Sequence, residues 1–210
     1  MLRYAITDRT RFPGDEPARQ AALLEQTAHL AASGPDHRPD LLQLRENDLA
    51  SAALAALAHK LRATLRTHSL SPKLLINSRA DVAVATAADG VHLTSAPGSL
   101  TPSQVRALYA AANLPAPIVS VSCHTLAEVA AASGPDRDSA ATLILFGPVF
   151  EKSVYNRKVS EGAGLDLLQQ ACTLADPIPV LALGGITREN TPAALAAGAA
   201  GIAAIRLFLK

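Results

Sequence analysis

The sequence predicts a compact (β/α)8 TIM barrel forming a single domain over residues 1–210, and three observations predict it. Eight short β-type apolar runs alternate with longer alanine-rich stretches whose apolar residues recur at helical spacing. The runs are almost continuously apolar, as strands covered on both faces must be, and closing eight of them into a cylinder leaves no unpaired edge. No shift of composition divides the 210 residues into two parts. An open, doubly wound sheet is the alternative arrangement of the same units.

The elements follow in strict alternation. Strands are predicted at 2–7, 40–44, 73–77, 90–93, 118–122, 142–146, 180–183 and 201–205. Helices are predicted between them at 16–32, 50–67, 80–87, 101–112, 125–132, 164–174 and 191–197. Thr101 before Pro102 and Thr191 before Pro192 each read as an N-cap followed by the first helical residue. Eight units in 210 residues leave about 26 residues each, so the helices must be short. The polar loop at 151–162 carries Lys152 and Lys158 and reads either as a lid or as a solvated turn. Little chain follows the eighth strand, so the last helix is expected to be missing or very short. The apolar flank near Leu207, Phe208 and Leu209 is then expected to be covered by a second subunit, making a homodimer.

Composition narrows the partners. Nineteen Lys and Arg against eighteen Asp and Glu give a net charge of +1, which is not the basic surface that tracks a nucleic-acid backbone. The longest apolar run, 141–150, is too short to cross a bilayer, and the amino terminus is interrupted by Arg3 and Asp8, so neither a membrane span nor an export signal is expected. Cys123 and Cys172 lack metal-ligand spacing and suit a reducing cytoplasm.

Barrels of this kind place their chemistry on the loops that follow the strands. Here those positions hold Asp8 and Arg9, Arg45 and Glu46, Asn77 and Arg79, Thr94, Ser122 and His124, Gly147, Gly184 and Gly185, and finally Arg206. Each residue alone reads equally as a cap or a solvated side chain. Gly184-Gly185 is either a tight turn or a cradle of backbone N–H groups for a phosphate, and Arg206 at the end of the eighth strand weighs toward phosphate. Ile205 would lie beside it. His124 follows the fifth strand, where an imidazole suits proton transfer because it titrates near neutrality, or serves as a cap. His92 lies within the fourth strand and faces either inward or outward. His29, His59 and His68 fall on predicted helices, where packing or solvation is the ordinary role. The sequence has no P-loop, no Gly-x-Ser-x-Gly elbow and no His/Cys metal cluster, and neither a metal nor another cofactor is expected.

Seven segments in order resemble the thiamine phosphate synthase and TenI superfamily. They are Tyr4-Ala-Ile-Thr-Asp-Arg9, Leu42-Gln-Leu-Arg-Glu46, Leu75-Ile-Asn-Ser-Arg-Ala-Asp81, Asp89-Gly-Val-His-Leu93, Val121-Ser-Cys-His-Thr125, Leu145-Phe-Gly-Pro-Val-Phe150 and Ala182-Leu-Gly-Gly-Ile186. The resemblance implies a (β/α)8 barrel, usually dimeric, that handles the phosphorylated thiazole half of thiamine. It places the phosphate on Gly184, Gly185, Ile205 and Arg206, although the family usually has a serine where Arg206 stands. Arg45, Asn77 and Ser122 are implied as substrate-binding residues, and His124 as the catalytic residue of the tautomerase branch.

Departures choose between the branches. Synthase members typically carry Arg-Glu-Lys after the second strand, Asn-Asp after the third, an Asp after the fourth, and Thr-x-Thr-Lys after the sixth. This chain has Asn47, Ser78, Pro97 and the run Lys152-Ser153-Val154-Tyr155. The implied magnesium ligands and diphosphate lysine are replaced. A departing diphosphate needs its charge neutralised, and a single Arg is a poor substitute for a metal with several donors. The expected activity is therefore that of a TenI-like thiazole tautomerase, in which His124 shifts a proton in a 2-carboxy-thiazole phosphate tautomer to give the aromatic product. The alternatives are a thiamine phosphate synthase with an altered diphosphate site, a non-catalytic sensor of thiazole or thiamine phosphates, or another phosphate-binding barrel isomerase.

Overall fold

The computed structural model describes residues 1–67, 71–154 and 157–208, with the backbone alone described in 152–154 and 157–160. In chain order the strands are β1 (Leu2–Ile6), β2 (Leu41–Leu44), β3 (Lys73–Asn77), β4 (Gly90–Thr94), β5 (Ile118–Cys123), β6 (Leu143–Phe146), β7 (Lys152–Val154), β8 (Arg157–Ser160), β9 (Val180–Leu183) and β10 (Gly201–Ala204). The helices are α1 (Glu16–Ala32), α2 (Ser51–Leu65), α3 (Ala80–Ala85), α4 (Pro102–Ala111), α5 (Leu126–Ser133), α6 (Leu165–Ala175) and α7 (Thr191–Ala196). All strands but β7 and β8 are parallel and close into one barrel, β1 pairing with β2 on one side and β10 on the other. Leu2 opposite Gly201 seals the cylinder, which disposes of the open-sheet alternative.

Alternation along each strand sends side chains to two different cores. Tyr4, Ile6, Leu41, Leu75, Leu143, Leu145, Leu181 and Ala203 fill the lumen. Leu42, Leu44, Leu74 and Ile76 point outward against helix residues such as Leu57, Leu61 and Leu168. Gln43, between two outward leucines, is an inward-facing amide, 1 % exposed.

Local sequence explains the helix starts. Asp15 caps α1 by accepting from the Ala18 N–H at 3.0 Å, and Thr101 forms a capping box with Gln104 ahead of Pro102. Thr125 makes a second box with Glu128. Thr191 departs from expectation. It is the first helical residue of α7, Asn190 takes the cap position, and the Thr191 hydroxyl donates to the Thr187 carbonyl at 2.6 Å.

Two further differences concern the loops. The segment expected as an irregular loop at 151–162 contains the antiparallel pair β7 and β8, whose short polar strands lack an apolar periodicity to betray them. The Lys152 and Lys158 side chains, and Tyr155, lie outside the described residues, as does His68. After β10 the chain makes a turn rather than a helix among the described residues. That turn folds inward: Phe208 is 6 % exposed, and its carbonyl accepts from Gln26 Nε2 on α1 at 2.8 Å. The flank expected to be open at Leu207 and Phe208 is thus largely closed by the chain itself, while Leu209 lies outside the described residues. Among the described residues no helix is long and apolar enough to cross a membrane.

Beneath the β1 and β2 loops lies a buried ion network. Arg9, with a side chain 3 % exposed, donates to Glu46 at 3.0 Å, to both oxygens of Asp48 at 2.7 Å, and to Glu16 at 2.8 Å. Burial pushes the Glu46 carboxyl above its usual range, whereas Arg9 holds those of Asp48 and Glu16 below theirs. Removing Arg9 would strand Glu46, whose side chain is 2 % exposed, as an unpaired buried charge. Arg9→Met is therefore expected to cost roughly 3–5 kcal/mol of stability in urea unfolding. Glu16→Gln, at a side chain 41 % exposed, is expected to leave the midpoint almost unchanged.

Candidate active site

The carboxyl ends of the strands open into a cavity of about 880 Å³, a size that accommodates a small phosphorylated heterocycle. His124, Gly184, Gly185, Ile205 and Arg206 all line it. Arg45, Asn77 and Ser122 stand on the same barrel end but do not line this cavity. The sequence-derived set therefore divides in two: one group around the β9–β10 loops, another across the mouth on β2, β3 and β5.

The glycine turn is shaped by contact with its neighbour. Gly184 and Gly185 have φ values of +90° and +64°. A Cβ on Gly184 would lie 2.6 Å from the Pro148 Cα, and one on Gly185 would lie 2.7 Å from the Glu151 carbonyl oxygen. Only glycine permits both the left-handed backbone and this approach. The loop after β6 then pairs with the turn, Val149 N–H donating to the Leu183 carbonyl at 2.8 Å and Phe150 N–H to the Gly184 carbonyl at 3.1 Å. On the other side Asn190 Nδ2 donates to the Gly185 carbonyl at 2.8 Å. With these carbonyls engaged, the Gly185 and Ile186 N–H groups have no acceptor among the described residues. Such N–H groups can receive an anion. Side-chain charge at the rim is mixed, with Asp8, Glu151 and Glu189 facing Arg11, Arg188 and Arg206, so main-chain donors rather than a cationic hole would carry anion recognition.

His124 is exposed on the cavity wall at the end of β5. Its backbone N–H and that of Thr125 donate to the Glu128 carboxylate, which fixes the residue at the head of α5. Its Nδ1 bonds the Gly147 carbonyl. A carbonyl only accepts, so Nδ1 carries a proton and, in the neutral ring, Nε2 is the nitrogen with the lone pair. The ring is thereby oriented as a base.

Across the mouth the contacts are different. Asn77 accepts from Gln43 Nε2 at 2.7 Å and donates to Asn47 at 3.1 Å, so both ends of its amide are engaged by the protein. Gln43 Oε1 is buried without a partner among the described residues. Arg45 is exposed, and its backbone is set by the Thr7 hydroxyl, which accepts from the Arg45 N–H at 3.0 Å and donates to Glu46 at 2.6 Å. Ser122 is buried on β5, 8 % exposed. Sequence reading missed the parts played by Gln43, Thr7 and Asn190. A polar residue between apolar neighbours was the available signal for Gln43; nothing in the local sequence separates Asn190 from an ordinary loop asparagine.

The resemblance to synthases raises the question of a divalent cation. Ser78 and Pro97 occupy the positions where acidic ligands are expected, and no three His, Cys, Asp or Glu side chains converge among the described residues. The nearby Glu46 is committed to Arg9 and Thr7. The donors present do not fit a magnesium clamp.

These features define a (β/α)8 barrel whose strand carboxyl ends open into a cavity lined by a glycine turn and an oriented imidazole. The chain belongs to the thiamine monophosphate synthase family, whose model matches residues 3–208. A Geobacter sulfurreducens protein named "Putative thiamine-phosphate synthase" is 41 % identical over 209 residues, spanning 98 % of this chain and 85 % of its own length. The thiamine-phosphate synthase of Roseiflexus castenholzii is 32 % identical over 202 residues, spanning 96 % of this chain and 78 % of its own. Among solved structures, the thiamine phosphate pyrophosphorylase of Pyrococcus furiosus superposes with a TM-score of 0.73 at 25 % identity, covering 97 % of this chain and 85 % of that one.

The glycine turn yields a direct expectation. Gly185→Ala forces a Cβ toward the Glu151 carbonyl in a left-handed conformation and should lower stability by about 1–2 kcal/mol. It should also abolish calorimetric binding of a phosphorylated ligand. Gly34→Ala, where a Cβ meets nothing within 4 Å, should leave both unchanged.

Proposed function

We propose that this chain is a thiamine-phosphate synthase, which holds a phosphorylated thiazole at the glycine turn and joins it to a pyrimidine supplied as its diphosphate, the C–O bond to the diphosphate breaking and inorganic diphosphate leaving as the new bond forms. One observation carries the reading: relatives bearing the synthase name match this chain over 85 % and 78 % of their own lengths, at 41 % and 32 % identity. It supports the coupling reaction over the tautomerase that the sequence alone favours. In this reading the Gly185 and Ile186 N–H groups and Arg206 bind the thiazole phosphate, and Ile205 packs beside the ring. Arg45 and Ser122 belong to the other half of the mouth, where Arg45 offers positive charge to a diphosphate. Asn77, braced by Gln43 and Asn47, shapes that half. No step is assigned to a metal, because the donors do not fit one.

A second reading, the thiazole tautomerase, is favoured by a specific observation. The acidic ligand positions are lost while His124, its Nδ1 committed to the Gly147 carbonyl, stands on the wall of the cavity that contains the glycine turn and has Nε2 as the basic nitrogen of its neutral ring. That nitrogen would take a proton from one carbon of the non-aromatic 2-carboxy-thiazole phosphate and deliver it to another, with aromaticity driving the shift. Both readings set the chain in the cytoplasm, in keeping with the free thiols of Cys123 and Cys172.

The test incubates purified protein with both phosphorylated halves, with magnesium and with chelator, and measures thiamine phosphate by chromatography. A parallel reaction supplies the non-aromatic thiazole tautomer. Thiamine phosphate is the expected product. Conversion of the tautomer alone, falling roughly a hundredfold or more in His124→Gln, would replace the first reading with the second. Ligand binding with no turnover of either substrate would overturn both and indicate a sensor. A homodimer is part of the proposal on the strength of the family resemblance alone, since the chain itself closes the flank at Leu207 and Phe208, and sedimentation is expected to give twice the monomer mass at micromolar concentration.

A further inference from the structure

The lumen of the barrel contains a second imidazole that the proposed reaction does not use. His92 on β4 points inward, 5 % exposed, in register with Asn77 of β3 and Ser120 of β5. Its Nδ1 lies 2.8 Å from Ser120 Oγ, and Ser120 Oγ lies 3.0 Å from the Tyr4 hydroxyl of β1. Ser120 and Tyr4 are both 0 % exposed. The Tyr4 and His92 rings also meet edge to face, 6.3 Å apart at 62°.

We propose that Tyr4 and Ser120 are positioning residues that hold His92 as the neutral Nε2–H tautomer, so that the floor of the mouth meets its ligand with a hydrogen-bond donor and not a base. Counting protons leads to this assignment. Tyr4 has one hydroxyl proton, and Ser120 is its hydrogen-bond partner among the described residues, so Tyr4 donates to Ser120. Ser120 in turn has one proton, and His92 Nδ1 is the remaining acceptor, so Ser120 donates to Nδ1. Three protons share two hydrogen bonds, so one is left over: in this order it is the ring's own Nε2 proton on the 5 % exposed His92, and in any other it is a hydroxyl proton of Tyr4 or Ser120, both 0 % exposed. Were Nδ1 to donate instead, the hydrogen of either Tyr4 or Ser120, both 0 % exposed, would have no acceptor among the described residues. With Nδ1 accepting, the ring proton resides on Nε2.

The surroundings keep the ring uncharged. Tyr4 on β1, Asn77 on β3 and Ser120 on β5 are neutral, and the charged group facing His92 is Arg45 of β2, which opposes a second positive charge. Burial, aided by Arg45, pushes the imidazole down to about 3. As neutral rings the two mouth histidines are thus complementary, His124 with its lone pair on Nε2 and His92 with its proton there. The inference rests on the mouth being the ligand site only in its last clause; the tautomer itself follows from the buried contacts.

The experiment is nitrogen-15 NMR on the full chain with labelled histidine, His92 being assigned by loss of its signals in His92→Gln. At neutral pH the expected pattern is a protonated Nε2 and an unprotonated Nδ1, unchanged between pH 5 and 8. Tyr4→Phe frees Ser120 to accept, and Ser120→Ala removes the donor; each should bring up an Nδ1–H population. If Ser120→Ala does not fold, Tyr4→Phe alone decides. A wild-type ring protonated on Nδ1, titration of His92 within that pH range, or an unchanged tautomer in Tyr4→Phe would overturn the proposal. Addition of a thiazole phosphate reads the last clause separately: the Nε2–H signal should move on binding, and a bound ligand that leaves it unmoved would refute the donor role while leaving the tautomer standing.

Discussion

The mouth of this barrel depends on two loops touching backbone to backbone. The segment after β6 lies against the turn after β9 so closely that Val149 and Phe150 donate to main-chain carbonyls of Leu183 and Gly184. Side chains cannot intervene: a Cβ on Gly147 would lie 2.1 Å from the Leu183 oxygen, and those on Gly184 and Gly185 would strike Pro148 and Glu151. The same Gly147 supplies the carbonyl that orients His124. One contact therefore sets both the shape of the cradle and the direction of the imidazole.

The opposite side of the mouth is fixed by charge. Arg9 joins three carboxylates from α1 and the β2 loop, and Thr7 links that cluster to the backbone of Arg45. The Glu46 carboxylate is costly to bury, and Arg9 with the Thr7 hydroxyl supplies its compensating donors. The two halves are thus held by different physics, steric fit without side chains on one and a satisfied ion network on the other.

How much of this could be read from the sequence varies with the range of the interaction. All eight barrel strands were legible because each is a short apolar run bounded by polar loop residues. Thr101 was legible as a cap because Pro102 follows it, and the glycine pair because two adjacent glycines after a strand have few other uses. The β7 and β8 pair was not, since its strands carry no apolar stripe. Phe208 was expected to be exposed because nothing local indicates that the turn after β10 folds back onto α1. Arg9, expected as one polar group among many at the mouth, proved to be the centre of a buried network whose partners lie 37 and 39 residues away. Tyr4 and Ser120 are 116 residues apart and meet only because the barrel closes. The choice of chemistry was least legible: substitutions at Asn47, Ser78 and Pro97 argue for one branch, and the names of relatives argue for the other.

A grip made from peptide N–H groups has an evolutionary corollary. Point mutation exchanges side chains but leaves the peptide group in place, so the neighbours of the Gly184–Gly185 turn are free to drift in charge and size while the hold on an anion persists. Lineages built on such a turn would be expected to diversify in the bonds they make or break long before they change the handle by which they grasp a substrate.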